Sequence, residues 1–179
     1  MTDPHAITVT ITAAAQRVIA ACQAAGLRLA VGESCTGGMI AAAITAQQGS
    51  SAAFDGGIIA YANEAKERLL GVPKDTMIEH GSVSAEVAAV MAGAVREQLG
   101  ADIGLGVTGV AGPGGGTPDK PVGRVYLHLS GPNGTEQARV FDFSGDRESV
   151  RAQTVAEALG LVLDALDPAA PSAAPPAAP

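Results

Sequence analysis

The sequence of 179 residues is poor in aromatic side chains, which make up 3% of it, and it contains no tryptophan. A core without large rings has to be packed from Ala, Val, Leu and Ile, which pack closely as small side chains. Hydrophobic residues reach 47%, so the material for such a core is ample. The length is typical of a single domain of about 100–200 residues.

Basic residues are also scarce, since 11 Lys and Arg stand against 18 Asp and Glu and give a net charge of −7. They form no run or stripe, whereas a protein that binds the phosphates of nucleic acids needs a basic surface. We therefore expect no nucleic-acid partner.

Cysteine is limited to Cys22 and Cys35, without a C-x-x-C pair, which predicts free thiols in a reducing compartment. The first 12 residues lack the charged and apolar regions of a signal peptide, and we find no run of about 18 apolar residues that predicts a membrane span. No group of His, Cys and Asp has the spacing of metal ligands. We therefore expect a cytoplasmic protein with no membrane partner, no metal and no cofactor.

The sequence does contain alternating helical and strand patterns. We predict helices over 13–25, 39–46, 63–70 and 84–99, and a last helix that begins at Asp146 or Ser149 and ends near residue 166. We predict strands over 27–32, 56–61 and 101–107, and a hairpin of strands 122–130 and 135–143. This order predicts a single-domain α/β fold, a three-layer α/β/α sandwich with a mixed sheet, over residues 12–166. Residues 1–11 are expected to form a loose lead-in, and the Ala/Pro-rich 167–179 a disordered tail.

Polar and glycine-rich clusters follow three of the predicted strands, at 33–38, 61–66 and 108–116. In open α/β sheets, ligands bind beyond the carboxyl ends of parallel strands. The three clusters therefore predict one shared site.

The first cluster, Glu33-Ser34-Cys35-Thr36-Gly37-Gly38, joins a strand to a helix. N–H groups at the start of that helix could hold a phosphate or the oxyanion of an acyl-transfer intermediate, and Gly37 and Gly38 would let a ligand approach without meeting a Cβ. Alternatively, Ser34 or Thr36 only caps the helix. Cys35 is a rival nucleophile, but no histidine stands in a pattern that suggests pairing with it, which favours a small buried residue.

The second cluster offers Lys66 as a base for Ser34, with Tyr61 before it at a strand end. A lysine base has to lose its proton near neutral pH, which burial would favour. The alternative, on these residues alone, is an ordinary solvated lysine.

The third cluster resembles a phosphate-binding loop but lacks the G-x-x-x-x-G-K-[ST] pattern. Thr108, Gly109 and Gly112 remain as candidates to contact a ligand. Arg147, at the start of the last helix, could bind a phosphate or carboxylate, or could form an ordinary ion pair in the first turn.

Taken together, the motifs resemble the C-terminal domain of the competence/damage-inducible protein CinA, which also occurs as stand-alone nicotinamide-nucleotide amidohydrolases. The resemblance spans residues 12–166. It rests on 33–38, Gly49-Ser50-Ser51, Tyr61 with Asn63 and Lys66, 70–72, 80–84, 108–113, 120–123 and 145–147. Ser82 and Gly114 depart from the usual residues of the family.

The resemblance implies deamidation of nicotinamide mononucleotide to nicotinate mononucleotide and ammonia, in pyridine nucleotide salvage. It also implies Ser34, Lys66 and Tyr61 as the catalytic residues. The predicted substrate-binding residues are Thr36, Gly37, Ser50, Ser51, Asn63, Thr108, Gly109, Gly112 and Arg147. We expect a homodimer, and no activity of the additional N-terminal domain found in larger members. A nucleotide-binding or protein-interaction module without turnover, or an enzyme for a related amide, remains an alternative.

Overall fold

The computed structural model describes residues 4–167, with side chains from residue 7 onward. Within this part of the chain the helices are α1 Pro4–Ala25, α2 Met39–Thr45, α3 Asn63–Leu70, α4 Lys74–His80, α5 Ala85–Leu99 and α6 Arg147–Leu166. The strands are β1 Leu29–Glu33, β2 Phe54–Ile59, β3 Ile103–Gly109, β4 Arg124–Ser130 and β5 Glu136–Asp142.

The five strands form one sheet in the order β2-β1-β3-β4-β5. Strand β1 lies between β2 and β3 and is parallel to both, whereas β4 is antiparallel to β3 and to β5. The parallel strands require crossover connections, which the helices supply, and the β4–β5 pair is the predicted hairpin. The mixed sheet is therefore confirmed.

Helices cover both faces of the sheet. Helices α1, α2 and α6 pack on one face, and α5 packs on the other together with α3 and α4. On β3, Gly104 and Gly106 face α5 so closely that an added Cβ would lie 2.0 and 2.1 Å from backbone carbonyl oxygens of that helix. The predicted single-domain, three-layer α/β/α sandwich is thus confirmed.

The structure differs from the predicted helices at two places. Helix α1 begins at Pro4, so the expected loose lead-in over 1–11 does not hold from residue 4 onward. Proline suits the first turn of a helix, and Ile7 and Ile11, one turn apart, line a groove together with α2 and α6. The short helix α4 was not predicted. Residues 1–3 and 168–179, including nearly all of the expected disordered tail, lie outside the described residues.

Helix α1 is long and apolar enough over Ile7–Ala25 to cross a membrane, judged by length and composition alone. A helix of a protein core passes the same test. Here Ala15, Val18, Ile19 and Cys22 are buried in the core that α1 shares with α6 and the sheet. This packing accounts for the apolar side chains at these four positions, and the cytoplasmic location stays a prediction.

Candidate functional site

The three polar clusters meet at one edge of the sheet. Strands β1, β2 and β3 are adjacent and parallel, so the residues that end or follow them, Ser34, Tyr61 and Gly109, lie at the same side. We call this the carboxyl edge. The prediction that the three clusters share one region is confirmed.

Ser34 lies at the start of a tight turn directly after β1. Its N–H donates to the Val107 carbonyl at 3.0 Å, and its own carbonyl accepts from the Gly37 N–H at 3.1 Å. Gly37, with φ +58°, supplies the left-handed conformation that ends the turn. The Ser34 side chain is buried to 5% exposure, and its hydroxyl makes no hydrogen bond to any residue in 7–167. The backbone of Ser34 is therefore fixed by hydrogen bonds, while its hydroxyl oxygen is left unpaired.

Glu33, the last residue of β1, binds the beginning of α2. Its carboxylate accepts from the N–H groups of Gly38 at 2.9 Å, Ile40 at 3.2 Å and Ala41 at 2.9 Å. A carboxylate is stabilising there, because the first N–H groups of a helix have no partner within the helix. Glu33 thus occupies three of the N–H groups that were candidates for holding a ligand, and that prediction is left to the N–H groups closer to Ser34.

Two N–H groups next to Ser34 remain. Cys35 and Thr36 are the central residues of the turn, and neither N–H donates to another residue in the described part of the chain. The Cys35 N–H faces its own sulfur. The Thr36 N–H, two residues after Ser34, is left as an unpaired backbone donor beside the nucleophile candidate.

Arg151 on α6 holds the same turn from the other side. Its Nε donates to the Cys35 carbonyl at 3.2 Å, and its Nη2 donates to the Thr36 carbonyl at 2.7 Å. Sequence reasoning missed this residue. The available signal was its position four residues after Arg147, which places both guanidinium groups on one face of the helix.

Lys66 on α3 is buried, with 3% of the residue exposed. Its amine has no hydrogen bond and no carboxylate partner among residues 7–167. Burial lowers the pKa of Lys66 from its ordinary value, against a smaller opposing effect of the Cys35 thiol. The solvated-lysine alternative is thereby excluded. Lys66 belongs to the helix that follows β2 at the carboxyl edge, and the electrostatic influence between its amine and the Cys35 thiol agrees with a position near the Ser34 turn.

Cys35 is a poor candidate for the nucleophile. Burial raises the pKa of its thiol to about 11, although Lys66 and Arg151 oppose the rise. The thiol therefore stays protonated near neutral pH, and the thiolate is the reactive form. Its sulfur packs 3.1 Å from the position of a Cβ at Gly109, where only glycine fits.

Tyr61 is 57% exposed, and its hydroxyl accepts a hydrogen bond of 2.6 Å from Arg147. The same guanidinium donates to the carbonyl of Gly112 at 2.7 Å. Arg147 thus joins the second and third clusters, so three predicted residues are brought together. Within residues 7–167, Tyr61 makes no hydrogen bond to Ser34 or Lys66, and its role as a proton relay stays a prediction.

Other predicted binding residues differ in their availability. Thr108 is buried, and its hydroxyl donates to the Ser82 carbonyl at 3.0 Å. The proton of this hydroxyl is therefore already used in a bond within the fold. Thr36 is also fully buried, and within 7–167 its hydroxyl is the one side-chain oxygen or nitrogen that has neither a partner nor contact with solvent, whereas the Ser34 hydroxyl and the Lys66 amine retain some solvent contact. Gly37 is exposed at the turn, and Asn63 is exposed as the first residue of α3.

Ser50 and Ser51 lie elsewhere. They precede β2, which is parallel to β1, so they stand at the end of the sheet where β1 begins. The length of a five-residue strand, about 16 Å, separates that end from Ser34. Within one chain, Ser50 and Ser51 therefore lie far from the site that contains Ser34.

No group of three or more His, Cys, Asp or Glu that could hold a metal ion exists within the described residues. The carboxyl edge brings together the unpaired hydroxyl of Ser34, the unpaired amine of the buried Lys66 and the unpaired N–H of Thr36. The fold and site thus define an α/β protein with a serine and a buried lysine at the carboxyl ends of parallel strands.

The chain belongs to the family described as CinA C-terminal domain, whose sequence model matches residues 11–166. It is 53% identical over 149 residues to a "CinA-like protein" of Anaeromyxobacter sp. (strain K), covering 83% of this chain and 36% of that one. A "CinA-like protein" of Citrifermentans bemidjiense is 58% identical over 134 residues, covering 75% of this chain and 32% of that one. The chain thus spans about a third of the length of these relatives.

Solved structures agree with this assignment. The competence/damage inducible protein CihA from Agrobacterium tumefaciens superposes with a TM-score of 0.85 at 39% identity, covering 88% of this chain and 95% of that chain. A competence or damage-inducible protein from Enterobacter asburiae gives a TM-score of 0.84 at 32% identity, covering 88% and 98%.

Proposed function

We propose that the protein is an amidase that converts nicotinamide mononucleotide and water to nicotinate mononucleotide and ammonia. The observation that carries the proposal is the buried, unpaired Lys66 beside the turn of Ser34. Burial favours the neutral amine that a general base needs, and a serine requires such a base before it can attack a carboxamide.

The first half of the reaction acylates the serine. Neutral Lys66 takes the proton of the Ser34 hydroxyl as Oγ bonds to the carboxamide carbon, and the carbonyl oxygen becomes an oxyanion. The Thr36 N–H is the donor that we assign to that oxyanion, because the N–H groups of α2 are taken by Glu33. The C–N bond then breaks, and the proton on Lys66 passes to the leaving nitrogen, which departs as ammonia.

The second half releases the product. Lys66 takes a proton from water as its oxygen bonds to the carbon of the nicotinoyl ester. The bond to Ser34 Oγ breaks, and the proton returns to that oxygen. The resting enzyme is restored without any cofactor.

Arg147 is the residue that we assign to the phosphate of the nucleotide. Its two partners, the Tyr61 hydroxyl and the Gly112 carbonyl, are both neutral, so its charge is not cancelled by a carboxylate within residues 7–167. A guanidinium suits the bidentate binding of phosphate. In this arrangement Tyr61 and the glycine loop border the nucleotide. The homodimer and the cytoplasmic location are further expectations.

The test is ammonia release from nicotinamide mononucleotide by the wild-type protein and by its Ser34→Ala variant. We expect the variant to lose at least about 1000-fold in kcat, since single removals of a catalytic serine elsewhere cost far more. Its melting temperature should change little, because the hydroxyl has no partner. The matched control is Ser51→Ala, on the opposite edge, which should turn over normally.

Normal turnover by Ser34→Ala would eliminate Ser34 as the nucleophile. If the wild type released no ammonia, a calorimetric titration with the nucleotide would distinguish a non-catalytic binding module from an enzyme for another amide. Binding without turnover would favour a non-catalytic nucleotide-binding module, and no binding would favour a different amide substrate.

A further inference from the structure

Arg151 differs from the arginines that form ion pairs in this fold. Arg28, Arg124 and Arg139 each contact an aspartate, Asp55, Asp142 and Asp164 respectively. Arg151 is half-buried, has no carboxylate partner within residues 7–167, and directs its guanidinium at two backbone carbonyls. Both carbonyls belong to the turn that follows Ser34.

The geometry of the peptide bond links these contacts to the donor beside Ser34. In a planar trans peptide, the C=O and the next N–H point in opposite directions. The carbonyl of Cys35 and the N–H of Thr36 belong to one such peptide. By holding the Cys35 carbonyl, Arg151 therefore fixes the direction in which the Thr36 N–H points.

The second contact acts in the same way on the next peptide. The Thr36 carbonyl, held at 2.7 Å, shares its peptide with the Gly37 N–H, which closes the turn on the Ser34 carbonyl. An accepted hydrogen bond also polarises a peptide and makes its N–H a stronger donor. The added Cβ of a residue at position 37 would lie 3.4 Å from Nη2, so the guanidinium lies directly against the turn.

We propose that Arg151 is a positioning residue for the reaction at Ser34, because its guanidinium holds the Cys35–Thr36 peptide with the N–H directed at the developing oxyanion. The inference rests on the proposed function in one respect, namely that Ser34 is the nucleophile. It does not depend on which amide is the substrate.

A probe that reacts with serine tests the positioning role of Arg151 without the natural substrate. A fluorophosphonate is attacked by Ser34 Oγ, the P–O bond forms, fluoride leaves and the proton goes to Lys66, while the phosphoryl oxygen occupies the position of the oxyanion. The rate of labelling at Ser34 is followed by mass spectrometry of the full chain. We compare wild type, Arg151→Ala, Arg151→Lys and the control Arg139→Ala, which removes an arginine of β5 that contacts α6 away from the turn.

We expect Arg151→Ala to label at least about 10-fold more slowly, a smaller loss than the 100-fold or more for removing a direct donor. Free guanidinium, at concentrations too low to unfold proteins, should restore part of the rate. Arg151→Lys, which keeps the charge but not the two-pronged geometry, should fall in between. Arg139→Ala should label like the wild type. In ammonia release, the loss should appear in kcat and leave KM nearly unchanged.

Labelling of Arg151→Ala and Arg151→Lys at the wild-type rate would overturn the inference. So would a loss that guanidinium does not restore and that follows a lowered melting temperature in both variants. Absence of labelling at Ser34 in the wild type would overturn it together with the nucleophile. Slow labelling of the variants in a protein that releases no ammonia from nicotinamide mononucleotide would support it while the proposed substrate fails.

Discussion

Both ends of the parallel strands carry polar and charged side chains, but these side chains are paired at one end and unpaired at the other. At the end where β1 begins, which we call the amino edge, Arg28 Nε donates to Asp55 at 2.6 Å and the Arg28 N–H donates to Asp102 at 2.8 Å. The Arg28 guanidinium also reaches the Ser51 carbonyl at 3.4 Å. At the carboxyl edge, the Ser34 hydroxyl and the Lys66 amine have no partner in the described part of the chain.

The difference shows which edge of the sheet contains groups that destabilise the fold. A buried polar group without a hydrogen bond is destabilising by about 1–3 kcal/mol, and a buried charge by more. The amino edge demonstrates that the fold can pair its charges. On the proposed function, the unpaired Ser34 hydroxyl and Lys66 amine are the reactive groups, and Glu33 and Arg151 hold the backbone that follows Ser34.

Among the substitutions that test this difference between the two edges, Lys66→Met is expected to have the largest effect on activity. Removing the base should lower kcat for ammonia release by about 100- to 10,000-fold, the usual contribution of general acid–base catalysis. The matched control is Lys74→Met, an exposed lysine that pairs with Glu67 at 3.4 Å, and it should keep wild-type kcat. Equal kcat for Lys66→Met and Lys74→Met would contradict the assignment of Lys66 as the catalytic base.

The same variant should be more stable than the wild type. Because burial lowers the pKa of Lys66 in the folded state, folding at neutral pH opposes its protonation. The wild type should gain stability as pH rises from the lowered pKa towards the unfolded value of about 10.4, and Met removes this dependence. Thermal melts between neutral and alkaline pH measure it. A lower melting temperature for Lys66→Met than for wild type would contradict the account.

A smaller effect is expected at the carboxylates of the two edges. Glu33→Gln weakens three hydrogen bonds to α2, so we expect a loss of about 1–3 kcal/mol in unfolding free energy and roughly 10-fold in kcat. Asp102→Asn weakens the bond to the Arg28 N–H and should lower stability without lowering kcat. Urea unfolding and ammonia release measure both. A kcat loss in Asp102→Asn as large as in Glu33→Gln would break the comparison.

The smallest effect is expected for Arg28→Met. Its guanidinium lies in a partly exposed ion pair with Asp55, and ion pairs of this kind contribute little to stability because water screens them. We expect almost no shift of the midpoint of urea unfolding. Turnover should stay within about 2-fold of wild type, because the amino edge lies a full strand length, about 16 Å, from Ser34. A 10-fold loss of kcat would show that the amino edge takes part in the reaction.

The topology that creates the site could be predicted from the sequence, because strand patterns, helix caps and the glycine hairpin are local signals. Ser84 caps α5 through the Val87 N–H at 3.2 Å, as its position before the helix suggests. The convergence of Ser34, Tyr61 and Gly109 followed from the parallel order alone. The residues alone offered Lys66 as one of two alternatives, and the resemblance to a family favoured it as the base, because the spacing of the sequence did not indicate its burial.

Other features depend on contacts between distant segments. The occupation of the α2 N–H groups by Glu33 and the contacts of Arg151 with the Ser34 turn, 115 and 116 residues earlier, leave no periodic signal. Ser50 and Ser51 match a motif in sequence, yet the parallel direction of β2 places them at the far edge. Residues 4–11 are rich in β-branched side chains, and packing against α2 and α6 overrides that preference in α1.

The most direct test of the central claim is the pH dependence of ammonia release by wild type and Lys66→Arg. The account predicts that kcat/KM of the wild type rises with pH through a pKa below the ordinary lysine value. It also predicts that Lys66→Arg, which keeps a positive charge but cannot lose its proton, is inactive across the range. Substantial turnover by Lys66→Arg would show that the residue acts by its charge, and would contradict the assignment of Lys66 as the base for Ser34.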